Sequence, residues 1–388
     1  MKITKKNIIE PEEQTFLRGK NSQWRENVYI EHKEYNWRLC SLFIFIFFLG
    51  WFFTLLYYIY SLKQQLKIGK ANDDNKKINV DLNDDIVEPY IKAQNDFCEN
   101  PDKYKIQKYE DDIFLSDVKF NELKYQMYIF KSPNFILNEF RLYGAYEVPL
   151  SNYIIEALKY YQKKNNILNN KDILMIDIGG NVGWYPSLLG RYEYTILFFE
   201  AFEKNYYVAK KNYCFLNKDS NVIIITKGLG SEEKNCFYFD QKDNAGNGMV
   251  ICENKTNLND SGLDKLFIKE SEVEMTTLNT FMPYLSNKNI ALMKIDVEGY
   301  ELKVLEGGKE LITNYHIPFV VLEFSPGYLK EVGSEPRDLA QFFVDNGYKI
   351  SLNGFLSKNF ITVDELINKA GFQVNCYFIH ESVANSLE

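Results

Sequence analysis

Apolar residues in this chain fall into two patterns. One is a set of short, mainly apolar runs that stop at an acid: 173–176 before Asp177, 195–199 before Glu200, 290–295 (interrupted by Lys294) before Asp296 and 318–322 before Glu323. Runs of this kind predict strands covered on both faces of a parallel sheet. Further strands are expected at 222–226 and 373–379. The other pattern has helical spacing. Tyr206, Ala209, Tyr213 and Leu216 share one face, as do Val304, Leu305, Gly308, Leu311 and Ile312 within 301–313, and Leu339, Phe342 and Phe343 further on. Alternating strands and helices predict an α/β fold with a doubly wound, largely parallel sheet.

Helix signals refine this picture. Segments 153–161 and 183–190 read as helices, Ser334 is placed to cap a helix that stops at Gly347, and Thr362-Val-Asp-Glu365 has the spacing of a capping box. Residues 231–288 show no clear period and read as an irregular insertion.

The amino-terminal third has a different character. Residues 39–62 carry no charge and are rich in Phe, Leu and Tyr. A helix of that length spans about 36 Å, enough to cross a bilayer. Trp37 lies at one end and Tyr57, Tyr58 and Tyr60 at the other, as in an interfacial aromatic belt. The expected organisation is a cytoplasmic tail at 1–38, a transmembrane helix at 39–62, a stem at 63–109 and a catalytic domain at 110–388. Lysines and arginines flank both ends of the span, so charge does not set its direction. Sequons at Asn254-Lys-Thr256 and Asn259-Asp-Ser261 favour a lumenal domain in the Golgi or endoplasmic reticulum. Of the six cysteines, Cys236 and Cys252 suit one disulfide across a loop, and no C-x-x-C spacing points to zinc. A net charge of -8 without a basic stripe argues against a nucleic-acid partner.

Chemistry concentrates in two stretches. Asp177-Ile-Gly-Gly-Asn-Val-Gly183 follows a strand with a glycine turn, and Glu200 lies about 20 residues beyond the first glycine, the separation of an acid that binds ribose hydroxyls. A dinucleotide fingerprint reads G-x-G-x-x-G. Here Asp177 stands where it would repel a pyrophosphate but accept hydrogen bonds from an ammonium. That favours S-adenosylmethionine over NAD, with Asp177, Gly179, Gly180, Asn181, Gly183 and Glu200 as the binding set. The second stretch, Lys294-Ile-Asp-Val-Glu-Gly-Tyr-Glu301, crowds charge at a strand end, where it is costly unless it serves a site. Lys294 is expected to pair with an acid.

Together with Phe199-Glu200-Ala201-Phe202, these stretches resemble the FkbM family of S-adenosylmethionine-dependent methyltransferases over roughly 140–380. The resemblance implies the class I methyltransferase fold and O-methylation of a hydroxyl, often on a sugar or polyketide. Two positions depart from the family pattern: Ala201 stands for a proline, and Asn279 for an aspartate. Methyl transfer to an alcohol benefits from a base. Asp296, Glu298 and Glu323, at neighbouring strand ends, are the catalytic candidates, with Asp296 first and also touching the cofactor. The three acids also suit a divalent cation in principle, but no metal is assigned. His316 and His380 rank lower. The function expected is membrane-anchored O-methylation of a glycan. The alternatives are a cytosol-facing enzyme for a lipid or small molecule, and an inactive scaffold.

Overall fold

The computed structural model describes residues 84–131, 134–216, 220–242, 248–252 and 267–387. The expected span at 39–62, its flanking tails and both sequons lie outside them. All described residues fall in Asp81–Glu388, the second of two units into which the chain divides. No helix among them is long and apolar enough to cross a membrane.

The described chain opens with α1 (Glu88–Glu99), a hairpin of β1 (Ile113–Phe120) and β2 (Leu123–Phe130), and helices α2 (Phe135–Tyr143) and α3 (Val148–Lys164). Then β3 (Ile173–Ile178), α4 (Trp184–Arg191), β4 (Thr195–Phe199), α5 (Glu203–Tyr213) and β5 (Val222–Ile225) alternate. Strands β6 (Gly228–Leu229), β7 (Lys234–Gln241), β8 (Gly248–Ile251) and β9 (Phe267–Thr276) form a sheet of their own. The alternation resumes with β10 (Asn289–Ile295), α6 (Glu301–Gly307), α7 (Lys309–Tyr315), β11 (Phe319–Phe324), α8 (Pro326–Glu331) and α9 (Pro336–Asp345). It ends with β12 (Tyr348–Ser351), α10 (Val363–Lys369), β13 (Val374–His380) and α11 (Glu381–Leu387).

The main sheet has seven strands in the order β12-β13-β11-β10-β3-β4-β5, with β13 antiparallel to both neighbours. This is the doubly wound order with one strand inserted antiparallel beside the last. Successive residues of β3 point to opposite faces, as the strand period requires. Ile173 and Met175 join the core under α3 and α4, while Leu174, Ile176 and Ile178 join the core under α6 and α7. Each such buried side chain contributes about 1.5–3 kcal/mol, which is why these apolar runs were readable as strands. The chain order reverses between β3 and β10, and the carboxyl ends of those strands open on the crevice where such sheets bind ligands.

Five sequence expectations need correction. The stem does not extend to residue 109, because α1 packs on the domain. Val87 and Phe97 are buried, and the Gln94 side chain bonds Val222 O at 2.7 Å and Ile224 N at 2.9 Å, completing the free edge of β5. The described residues of 231–288 are not irregular. In β9 the exposed Glu270, Glu272 and Glu274 alternate with inward Val273 and Met275, so charge on one face masked a strand. The helix expected over 301–313 breaks into α6 and α7 at a glycine pair. A Cβ at Gly307 would lie 1.9 Å from the Gly230 carbonyl oxygen, so only glycine permits this approach. Ser334 is buried and caps nothing, since Glu335 is the N-cap of α9. In α5 the buried residues are Asn205, Tyr207, Val208, Ala209 and Asn212, so of the expected face only Ala209 is fully buried. Asn212 satisfies itself on Tyr128 N, Tyr128 O and Val182 O.

Two disulfides brace the fold. Cys236–Cys252 matches the sequence expectation, and Cys98–Cys214, which ties α1 to the end of α5, was not anticipated. Its sequence separation of 116 residues implies a large restriction of the unfolded chain. Replacing both Cys98 and Cys214 by serine is expected to lower unfolding stability by about 2–4 kcal/mol. Urea unfolding checks this, and an unchanged midpoint under oxidising conditions would refute it.

Candidate active site

The site is built on the ends of β3, β4, β10 and β11. A cavity of about 390 Å³ opens there, lined by the glycine loop, Glu200, Lys294, Asp296, Glu298 and Glu323 among others. Gly179 adopts φ +74°, and a Cβ there would lie 1.8 Å from the Asp296 carbonyl oxygen. The glycine therefore serves the close junction of the β3 and β10 loops, not only space for a ligand.

Asp177 is fully buried at the end of β3, and neither carboxylate oxygen has a hydrogen-bond partner. Burial pushes its pKa up to about 6, with Lys294 opposing and Asp296 adding to the rise. A buried carboxylate with both oxygens unused is costly unless a ligand supplies the donor. Glu200 is already engaged. Its oxygens accept from Asn181 N at 2.8 Å and Phe202 N at 2.9 Å, and burial raises its pKa to about 7. The Asn205 side chain donates a third hydrogen bond to the same carboxylate. Glu200 thus also ties the glycine loop to the end of β4.

On the other side, Lys294 donates to Asp296 Oδ2 at 2.8 Å. Burial works against the ammonium, but Asp296, Asp177 and Glu147 hold its pKa above the ordinary value. Carboxylate oxygens of Asp296, Glu298 and Glu323 lie within 4.8 Å of one another. Burial pushes Glu323 up to about 10, and the charges of Asp296 and Glu298 add to the rise. Its Oε1 accepts from the Gln373 side chain. Glu301 has a different job. Its Oε1 accepts from Gly299 N at 3.0 Å and Val297 N at 3.4 Å, holding the turn that carries Glu298.

His316 and His380 stack on each other with centroids 4.7 Å apart and do not line the cavity. Asn279 also lies off it, while Ala201 lines it. Several lining residues were missed in the sequence. Tyr238, Gln241, Gly248 and Val250 belong to the second sheet, whose Cys236–Cys252 bridge also accepts the Tyr300 hydroxyl at 3.0 Å. Phe135 and Phe372 line it too and are 58% and 72% exposed, each beside a tyrosine ring, Tyr146 and Tyr328 respectively. Glu147 was not singled out in the sequence. It stands at the N-cap of α3 with φ 43° and accepts from the Tyr185 hydroxyl at 2.8 Å.

With this geometry in hand, residues 177–350 match the model of the methyltransferase FkbM domain. The match covers a little under half of the chain. FkbM methyltransferases use S-adenosylmethionine as methyl donor; of the expected donor-binding set, Gly179, Gly180, Asn181, Glu200 and Asp296 line the cavity, whereas the buried Asp177 and Gly183 do not. The chain is similar to Methyltransferase 1 of Beauveria bassiana (strain ARSEF 2860), 31% identical over 146 residues that cover 35% of this chain and 58% of that protein. The chain thus spans little more than half of that relative's length. Among solved structures, magnesium protoporphyrin IX methyltransferase of Synechocystis PCC 6803 with bound SAM is 11% identical, with TM-score 0.32, covering 75% of this chain and 97% of that one. The bifunctional kinase-methyltransferase WbdD is 11% identical, with TM-score 0.31, covering 59% and 38%.

Proposed function

We propose that this protein is a membrane-anchored S-adenosylmethionine-dependent O-methyltransferase that methylates a hydroxyl of a glycan. The observation that carries the donor assignment is Asp177, a buried acid with two unused oxygens beside a glycine loop in an FkbM domain. Asp177 receives the donor's ammonium, and Gly179, Gly180, Asn181, Gly183 and Glu200 surround its nucleoside. Bound S-adenosylmethionine supplies an electrophilic methyl group, so positioning accounts for much of the rate. Asp296, Glu298 and Glu323 face the acceptor.

Two features support a sugar. The Glu298 carboxylate and the Glu323 carboxyl, kept protonated by its raised pKa, offer hydrogen-bonding groups to vicinal hydroxyls, and the exposed rings of Phe135 and Phe372 offer flat faces to the C–H side of a pyranose. Two disulfides support an oxidising compartment, in line with the sequons and with an anchor at 39–62. The full chain in detergent is expected to bind S-adenosylmethionine by calorimetry and to transfer labelled methyl onto at least one member of a glycan panel. Endoglycosidase treatment of the expressed protein is expected to raise its gel mobility. Protease digestion of the domain in sealed microsomes would sink the lumenal reading and favour the cytosol-facing alternative. Failure to bind the donor would leave the inactive scaffold.

A further inference from the structure

The acceptor's proton needs a destination, and Asp296 is poorly placed to be it. Its carboxylate is committed to the Lys294 ammonium at 2.8 Å. Glu147 lines the same cavity in a different state. It stands in left-handed backbone at the N-cap of α3, a place where an acid usually folds back on the first amides of the helix. It makes no such cap bond. Its carboxylate instead takes the hydroxyl of Tyr185, a neutral donor on the first turn of α4, directly after the glycine loop. Left-handed backbone is a strained conformation for a non-glycine residue, and such strain clusters at functional sites.

We propose that Glu147, rather than Asp296, accepts the proton of the acceptor hydroxyl, and that Tyr185 is its positioning residue. The inference rests on the O-methyltransferase reading above. The donor's sulfur keeps the electron pair of the breaking C–S bond, the acceptor oxygen forms the new C–O bond, and its proton passes to the Glu147 carboxylate. The products are a methyl ether, a neutral thioether and a protonated Glu147. Lys294 and Asp296 face this carboxyl from β10 and its end, Asp177 from β3, Glu323 from β11, Tyr185 from α4 and Tyr377 from β13, with Tyr146 adjacent in the chain. Burial pushes Glu147 up to about 7, with Lys294 opposing and Asp296 adding to the rise, a value suited to a base near neutral pH.

The test uses the full chain in detergent and the variants Glu147→Gln, Asp296→Asn and Tyr185→Phe. Calorimetry with S-adenosylmethionine is expected to give equal affinity for wild type and Glu147→Gln. A loss of about tenfold or more in Glu147→Gln makes Glu147 a donor ligand and overturns the proposal. No binding by wild type sinks the donor reading instead, so the two failures are separable. Infrared titration, taken as wild type minus Glu147→Gln, is expected to show a carboxyl titrating near 7. Tyr185→Phe is expected to move that titration upward, because the phenol's hydrogen bond favours the charged form. A Glu147 carboxyl with the ordinary value of 4.5 overturns the assignment. In methyl transfer to a glycan, Glu147→Gln is expected to lower kcat by about 10²–10⁴-fold and to lose the acid limb of the pH profile. Asp296→Asn is expected to keep that limb. Wild-type turnover by Glu147→Gln, or loss of the limb in Asp296→Asn alone, refutes the proposal.

Discussion

Lys294→Met is expected to destabilise the protein by about 3–5 kcal/mol at pH 8, the largest single-residue effect on folding that this site offers. The lysine side chain is 6% exposed and is the cation shared by Asp296, Asp177 and Glu147. Methionine keeps most of the volume and removes the charge. Three carboxyls would then face one another with no ammonium among them. They would respond by binding protons, so the loss should shrink as the pH falls. The sign follows from the direction of the shifts. Asp177 is raised from 3.8 to about 6, and Glu147 from 4.5 to about 7. A carboxyl with a raised folded pKa favours the fold most below its unfolded value. That advantage is lost as pH rises through the folded value, here between about 4 and about 7. Removing Lys294 moves both folded values further up and deepens the loss at high pH. Urea unfolding of wild type and Lys294→Met at pH 5 and pH 8 measures this. Equal stability at both pH values would show that the lysine is not the counter-charge of the cluster.

Much of this site was legible in the sequence, for a physical reason that also sets the limit. Strands buried on both faces must be largely apolar, so β3, β4, β10 and β11 announced themselves, and of the acids that end these runs Glu200, Asp296 and Glu323 line the cavity while Asp177 lies buried behind it. The glycine loop was legible because turns of that kind need glycine. Features that depend on distant parts of the chain were not. Cys98 and Cys214 are 116 residues apart, and no local pattern pairs them. Gln94 reads as an ordinary polar helix residue until its amide is seen closing the edge of β5. The β7–β9 wall was hidden because its outward residues are charged and its inward residues are few. Glu147 was passed over because its significance lies in Tyr185, whose hydroxyl holds it from the helix after the glycine loop. Even the motif Lys294–Glu301 divides in a way spacing does not reveal. Asp296 and Glu298 face the cavity, while Glu301 turns back to hold the loop.

Asp177→Ala is expected to weaken S-adenosylmethionine binding by about one to two powers of ten, the largest effect of any single change on donor affinity. A hydrogen bond to a charged group contributes about 1.5–3 kcal/mol, and each 1.4 kcal/mol is tenfold in affinity. The buried oxygens of Asp177 have no other partner, so no second interaction compensates for their loss. The same change relieves the protein without ligand of a buried, unsatisfied acid. Asp177→Ala is therefore expected to unfold no earlier than wild type at neutral pH, which separates a binding role from a structural one. A pH dependence should accompany it. Burial holds Asp177 at about 6, whereas a bound ammonium favours its ionised form. Donor affinity should then decline as the pH falls below about 6, and the Asp177→Ala variant should lose that dependence. Calorimetry of both proteins between pH 5 and pH 8 measures both quantities. A variant that binds the donor as tightly as wild type, with the same pH profile, would mean that the orphaned carboxylate serves another group and that the donor assignment has to rest on the glycine loop alone.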